Sequence, residues 1–291
     1  MTAVVKRQWE RKWAGVRTAD LSGMTVVVTG GVRGVGLGIT AAFRAAGARV
    51  IACARREPED LPDGVGFTRV DVRDADAVEA FIGGITDLDV LVNNAGGTPY
   101  LPMSEGDARR HAKVIELNLI APLIISRAAN RVLQRRPEGG SIIMIGSVSG
   151  HRPSPGTAAY GAAKAGLDNL TASLAIEWAP RVRVNAVTVG MVRTEKSALH
   201  YGDAAGVAAV ARTVPLGRLA EPADVGDACV FLASPAAAYI SGASLPLHGG
   251  GERPAFLDAA AQASTAPPTN PQQTSTGAAA DADTPDREDN A

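Results

Sequence analysis

Short runs of β-branched and other apolar residues recur at 24–29, 49–53, 67–70, 89–92, 141–145, 182–187 and 244–247, and longer stretches with helical spacing separate them. Strands alternating with helical spacers predict parallel pairing, because two parallel strands can be joined only through a long crossover. The runs Val26-Val27-Val28 and Ile142-Ile143-Met144-Ile145 are apolar at every position rather than at every second one. That pattern belongs to strands covered on both faces. The expected fold is α/β, a doubly wound, seven-stranded parallel sheet in a single domain, with right-handed crossovers placing helices on both sides. No internal repeat of solenoid period is visible.

The pattern fades at both ends of the chain. Residues 1–20 carry Lys6, Arg7, Arg11, Lys12 and Arg17, with Trp9 and Trp13 four apart, so a short helix there would present both indoles on one face. Such a face packs on the body or on a neighbouring subunit, or lies on a membrane surface. The folded body is expected over 21–257. Beyond it the chain turns to Ala, Pro, Thr, Gln and Asp, which predicts a disordered tail over 258–291.

Composition then narrows function mostly by exclusion. The 291 residues, 46% hydrophobic, are enough for a large core. A net charge of −1 with dispersed Lys and Arg offers no broad basic surface, so nucleic acid is not an expected partner. No apolar stretch reaches the roughly 18 residues of a membrane span, and the N-terminus has no apolar signal core. The two cysteines, Cys53 and Cys229, belong to a strand-like and a helix-like run and to no ligand-spaced cluster, so neither a disulfide nor a metal site is expected. These features predict a cytoplasmic protein whose partner is a small molecule.

The first strand runs into Thr29-Gly30-Gly31-Val32-Arg33-Gly34-Val35-Gly36-Leu37-Gly38 and then into a helical pattern. A strand, a glycine turn and a helix in that order form a Rossmann-type dinucleotide cradle. Glycines allow the backbone to approach a pyrophosphate, and the helix N-terminus directs free N–H groups at it. At the end of the second strand, where a carboxylate would favour the free ribose hydroxyl of NAD, the chain reads Ala54-Arg55-Arg56. Arg55, with Arg33 from the turn, has the planar paired donors that suit a 2′-phosphate. NADP(H) is the expected cofactor and NAD(H) the alternative.

The run ending at Ile145 continues into Gly146-Ser147-Val148-Ser149-Gly150, and thirteen residues after Ser147 comes Tyr160, with Lys164 one helical turn further on. Free tyrosine has a pKa of about 10, too high for a base at neutral pH, and an adjacent ammonium would favour the phenolate. Only five of the 29 basic residues are lysines, so the choice of Lys at 164 carries some information. Ser147 would hydrogen-bond the substrate oxygen while Tyr160 gives or takes the proton.

With these residues in hand, the sequence resembles the short-chain dehydrogenase/reductase family over residues 21 to about 251. Thr29 to Gly36 matches its T-G-x-x-x-G-x-G turn, including Gly30, Arg33, Gly34, Val35 and Gly36, and Asp71-Val72 matches its adenine-contacting pair. Asn93-Asn94-Ala95-Gly96 matches its N-N-A-G segment. Asn118 matches the helix asparagine that holds a proton-relay water, followed by Ser147 and the Y-x-x-x-K pair. The resemblance implies that Val192 and Thr194 contact the nicotinamide carboxamide, that Arg33 and Arg55 belong to an NADP-binding pattern, and that the chain assembles as a homotetramer or dimer. Two departures stand out: Val189-Gly190 where the family has Pro-Gly, and His248 where an acidic residue precedes the glycines.

Substrate specificity in an open α/β sheet lies in loops at the C-terminal strand ends. The expected walls are 97–103, 149–157 and 191–213, with Tyr100, Met103, His151, Arg152, Met191, Leu199, His200 and Tyr201 among them. A hydrophobic secondary alcohol or ketone, steroid-like or alicyclic, suits this mostly apolar set. A 3-oxoacyl thioester on coenzyme A or acyl carrier protein is the alternative, with Arg152, Arg193 and Lys196 as a basic entrance. A non-catalytic, cofactor-sensing protein would need the glycine turn but not Asn118, Ser147, Tyr160 and Lys164.

Overall fold

The computed structural model describes residues 19–195, 197, 202–252, 254 and 256. The chain divides into two units, Met1–Glu252 and Arg253–Ala291, and the fold below belongs to the first. The Trp9 and Trp13 face, the tail expected over 258–291, and Lys196, Leu199, His200 and Tyr201 lie outside the described residues.

Seven parallel strands form one sheet: β1 (Thr25–Thr29), β2 (Arg49–Ala54), β3 (Gly66–Arg69), β4 (Leu88–Asn93), β5 (Gly140–Ser147), β6 (Val182–Val189) and β7 (Ser244–Leu247). Their order is β3-β2-β1-β4-β5-β6-β7. The crossovers carry α1 (Gly34–Ala45), α2 (Ala75–Gly83), α3 (Ala108–Ile115), α4 (Ala121–Leu133), α5 (Ala158–Glu177), α6 (Ala204–Thr213) and α7 (Pro222–Ala233). Between α3 and α4, residues Glu116–Ile120 widen into a π-helical turn.

The uninterrupted apolar runs divide between two cores, one on each face of the sheet. Val27, Ile142 and Met144 pack with Val78, Ile82, Ile125, Leu133 and Leu167. Their strand neighbours Val26, Val28, Ile143 and Ile145 pack on the other side with Ile39, Phe43, Val225 and Val230. Alternate side chains of a strand point to opposite faces, so both faces are apolar because both are covered. Cys53 and Cys229 are free thiols inside this packing, and burial pushes the Cys53 thiol up to about 12.

Strand order reverses between β1 and β4, which are neighbours although β2 and β3 intervene in sequence. Connections leaving these two strands run to opposite faces, and a crevice opens at their C-terminal ends. Val189, where the family has proline, is the last residue of β6 and pairs with Ser147 on one side and Leu247 on the other. The turn beyond it is fixed by Gly190 N–H donating to Leu247 O (2.9 Å) and by a short bridge between Val192 and Ala220.

Candidate active site

A cleft of about 1270 Å³ follows the C-terminal strand ends, from Arg55 and Asp71 past the glycine turn to Tyr160 and Lys164. The turn adopts the shape its glycines allow. Gly30 has φ +62°, and a Cβ on Gly36 would stand 2.1 Å from Gly30 O, so only hydrogen fits there. Asn94 clamps the same turn: its Nδ2 donates to Thr29 O (2.9 Å) and Gly30 O (3.1 Å), while Thr29 Oγ1 accepts from Asn94 N and Ala95 N, both at 2.9 Å. Sequence reasoning assigned Thr29 to the turn but missed this hydroxyl link between the ends of β1 and β4.

Arg33, Gly34, Val35, Asp71, Val72, Asn94, Ala95, Gly96, Val192 and Thr194 all line the cleft. Arg33 and Arg55 are exposed, and among the described residues no carboxylate lies within ion-pair distance of either. Arg69 Nε donates to Arg55 O (3.1 Å) and fixes that main chain. Arg73, which the sequence did not single out, grips Asp71 through two side-chain hydrogen bonds (3.0 and 2.6 Å). This pairing holds the Asp71 carboxyl below its usual range.

At the far end of the cleft, Ser147 closes β5, and Tyr160 and Lys164 project from the first turns of α5. The Ser147 hydroxyl bonds to Tyr160 and also accepts from Ser149 N (3.2 Å). Lys164 is 4% exposed, donates to Ile145 O at 2.7 Å, and places its Nζ 5.6 Å from the centre of the Tyr160 ring. Burial pushes the Lys164 ammonium down to about 8, opposed by the negative charge of Asp168. The sequence expectation that Lys164 pulls the Tyr160 phenol down needs correction. Burial raises the phenol, and the Ser147 hydrogen bond offsets only part of that rise.

Asn118 is fully buried inside the π-helical turn. Its Oδ1 accepts from Gly97 N (2.9 Å), and its Nδ2 donates to Gly97 O (2.9 Å) and Val114 O (2.8 Å). Gly96 lies between it and Lys164: a Cβ there would be 2.7 Å from Asn118 Oδ1 and 3.7 Å from Lys164 Nζ. An insertion of this kind in a helix is common at functional sites because it frees main-chain groups from the regular ladder.

The expected walls are partly joined. Leu101 N donates to Gly156 O (2.7 Å), and the Tyr100 ring lies against Gly156. Arg152 pairs with Glu252 at 2.5 Å, and Arg193 stands 3.6 Å from Glu221. His248 is half-buried, with its Nδ1 enclosed and unpaired. Among the described residues no His, Cys, Asp or Glu cluster is fit to hold a metal. No described helix is long and apolar enough to cross a membrane.

A family model described as enoyl-(acyl carrier protein) reductase matches residues 30–252, most of the chain. The chain belongs to the short-chain dehydrogenase/reductase family. Known members of similar closeness act on different compounds. The 3-oxoacyl-[acyl-carrier-protein] reductase of Vibrio cholerae is 36% identical over 242 residues, covering 79% of this chain and 98% of that one. The 3beta-hydroxysteroid dehydrogenase 1 of Eggerthella lenta is 34% identical over 249 residues, covering 79% and 94%. A Beutenbergia cavernae protein assigned as an NAD(P)-dependent gluconate 5-dehydrogenase, solved with NADP at low occupancy, is 32% identical with a TM-score of 0.73, over 80% of this chain and 98% of that one. This short-chain dehydrogenase/reductase is thus an NAD(P)-dependent oxidoreductase that interconverts alcohol and carbonyl groups. The narrow glycine cradle and the open cleft beside Lys164 fit such a cofactor.

Proposed function

We propose that Ser147, Tyr160 and Lys164 carry out this reaction on a hydrophobic, steroid-like or alicyclic secondary alcohol and its ketone, with NADP(H) as the preferred cofactor. The convergence of those three side chains at one end of the cleft carries the reading. When bound, the nicotinamide supplies or accepts the hydride at the substrate carbon. Ser147 Oγ–H orients the carbonyl oxygen, and the Tyr160 hydroxyl donates its proton to that oxygen in reduction and takes it back in oxidation. Burial keeps Tyr160 protonated at neutral pH, which is the form reduction needs. Lys164 offsets the phenolate left behind, and Asn118 holds the water through which the proton is restored. Tyr160→Phe is expected to lose nearly all turnover while binding cofactor as before; unchanged turnover would refute the assignment.

The cofactor preference is supported by Arg33 and Arg55 at the adenosine end, both exposed to the cleft. The carboxylates in the same stretch, Glu57, Glu59 and Asp60, come only after the arginine pair. A higher kcat/KM with NADPH than with NADH is expected, and the reverse order would overturn this preference.

The acyl-thioester reading has in its favour the activity named for the Vibrio cholerae relative and the carrier-protein substrate in the description of the matching family model. Against it, Arg152 and Arg193 face Glu252 and Glu221 rather than standing ready for an acidic carrier. Cyclic ketones and an acetoacetyl thioester assayed side by side separate the two readings. A homotetramer or dimer in the cytoplasm is also part of our proposal. Partly exposed Ile115 on α3, Ile120 on the π-helical turn and Leu123 on α4 support the assembly, and the two free thiols suit a reducing compartment.

A further inference from the structure

Asp168 takes no part in the chemistry above, yet it continues the same helical face. Tyr160, Lys164 and Asp168 follow one another at intervals of four along α5. Its side chain is only 17% exposed. Asp168 Oδ1 accepts from Ser244 Oγ at 2.7 Å, which ties α5 to the start of β7. Asp168 Oδ2 lies 3.0 Å from His151 Nε2 but off the line of a hydrogen bond, so that oxygen is enclosed without a bonded partner. On the β5 side it meets only main chain, since a Cβ on Gly146 would already be 3.5 Å from Oδ1.

A carboxylate enclosed to this degree is costly unless a positive charge is nearby. Among the described residues, the titratable groups that face it are Lys164 on its own helix and His151 on the turn after β5. The strands offer only neutral Ser244 and the backbone at Gly146. His151 is half exposed to water, whereas Lys164 is buried one turn away on the same helical face, so Lys164 is the cation that shares the enclosure. Lys164 in turn has lost its water shell and, among the described residues, donates to one acceptor, Ile145 O.

We propose that Asp168 is a positioning residue for the reaction, whose negative charge, anchored by Ser244, keeps the buried Lys164 in its ammonium form. This rests on the role given to Lys164 under Proposed function. A purely structural Asp168 would instead serve only to fasten α5 to β7, and any neutral hydrogen-bonding side chain would replace it.

NADPH binding to the full-length protein, followed by fluorescence from pH 6 to 10, separates these cases without requiring turnover. An ammonium donates to ribose hydroxyls, so affinity is expected to fall as Lys164 loses its proton. Asp168→Asn is expected to move the midpoint of that fall down by about 0.5 to 1 pH unit, because the neutral amide no longer opposes desolvation. Asp168→Glu should keep the wild-type midpoint, and so should Ser244→Ala, which removes the anchor but not the charge. A midpoint unchanged in Asp168→Asn, or shifted equally in Ser244→Ala, would overturn the proposal. If Asp168→Asn does not fold, Asp168→Ser is titrated in its place with the same expectation and the same overturning result. Failure of the underlying reading looks different: no NADPH binding at any pH, or full turnover in Tyr160→Phe.

Discussion

Lys164 carries a cost that the role proposed for it would explain. Its pKa falls from 10.5 to about 8 in the folded protein, so between those values the unfolded chain binds more protons than the folded one. By linkage, this group's contribution to stability rises with pH through that window, and the full cost of a buried ammonium stands below it. That cost is on the order of 3 kcal/mol. Lys164→Met, which fills the same space without charge, is expected to raise unfolding stability at pH 7 by about 1 to 3 kcal/mol, part being lost by leaving Ile145 O unpaired. The gain should shrink toward pH 10 while turnover is abolished. Urea unfolding at both pH values, with an activity assay, checks this. The spacing of Tyr160 and Lys164 was legible in the sequence because helical periodicity makes i, i+4 neighbours. The direction of their pKa shifts was not, because it depends on how deeply each side chain is buried.

At the scale of elements, the joints between strands and helices matter more than the elements themselves. Helix α7 starts at a reciprocal clasp: Asp224 accepts from Glu221 N (2.7 Å) and receives both arms of Arg218 (2.6 and 2.9 Å). This satisfies a free N–H at the helix start and holds α7 against the second core, where Val225 and Val230 are buried. The ion pair is half exposed, so most of its worth comes from the cap. Asp224→Ala is expected to cost about 1 to 2 kcal/mol, read as a lower urea midpoint with an unchanged slope. Of the joints at the site, the glycine turn was visible as a motif. The π-helical turn that seats Asn118 was not, since nothing in Glu116–Ile120 distinguishes it locally from an ordinary helix; it answers to Gly97 across space.

For the whole molecule, the cleft couples cofactor binding to stability. Gly30 and Gly36 belong to the β1–α1 turn, Asp71 follows β3, Asn94 follows β4, and Lys164 comes from α5, so a ligand spanning them joins both halves of the sheet. A ligand that binds only the folded state stabilises it by RT ln(1 + [L]/Kd), about 2.7 kcal/mol at one hundred times Kd. NADPH is therefore expected to raise the thermal midpoint by several degrees in a concentration-dependent way, and NADH at equal concentration by less. Thermal melts over a range of each cofactor test both statements; a larger shift with NADH would contradict the roles of Arg33 and Arg55.

The sequence by itself determined the seven strands within a residue or two at most ends, the covering of both sheet faces, the cradle and the Tyr160–Lys164 pair. Each of these is encoded by local periodicity or by glycine at fixed offsets, which neighbouring residues express without distant help. The tertiary structure alone decided what depends on contacts between remote segments. Asn94 closes on Thr29 and Gly30, and Asn118 closes on Gly97. Asp168 is joined to Ser244 across 76 positions of sequence. The protonation of Tyr160 and Lys164 belongs to the same class, because desolvation is set by everything packed around a side chain and not by its neighbours along the chain.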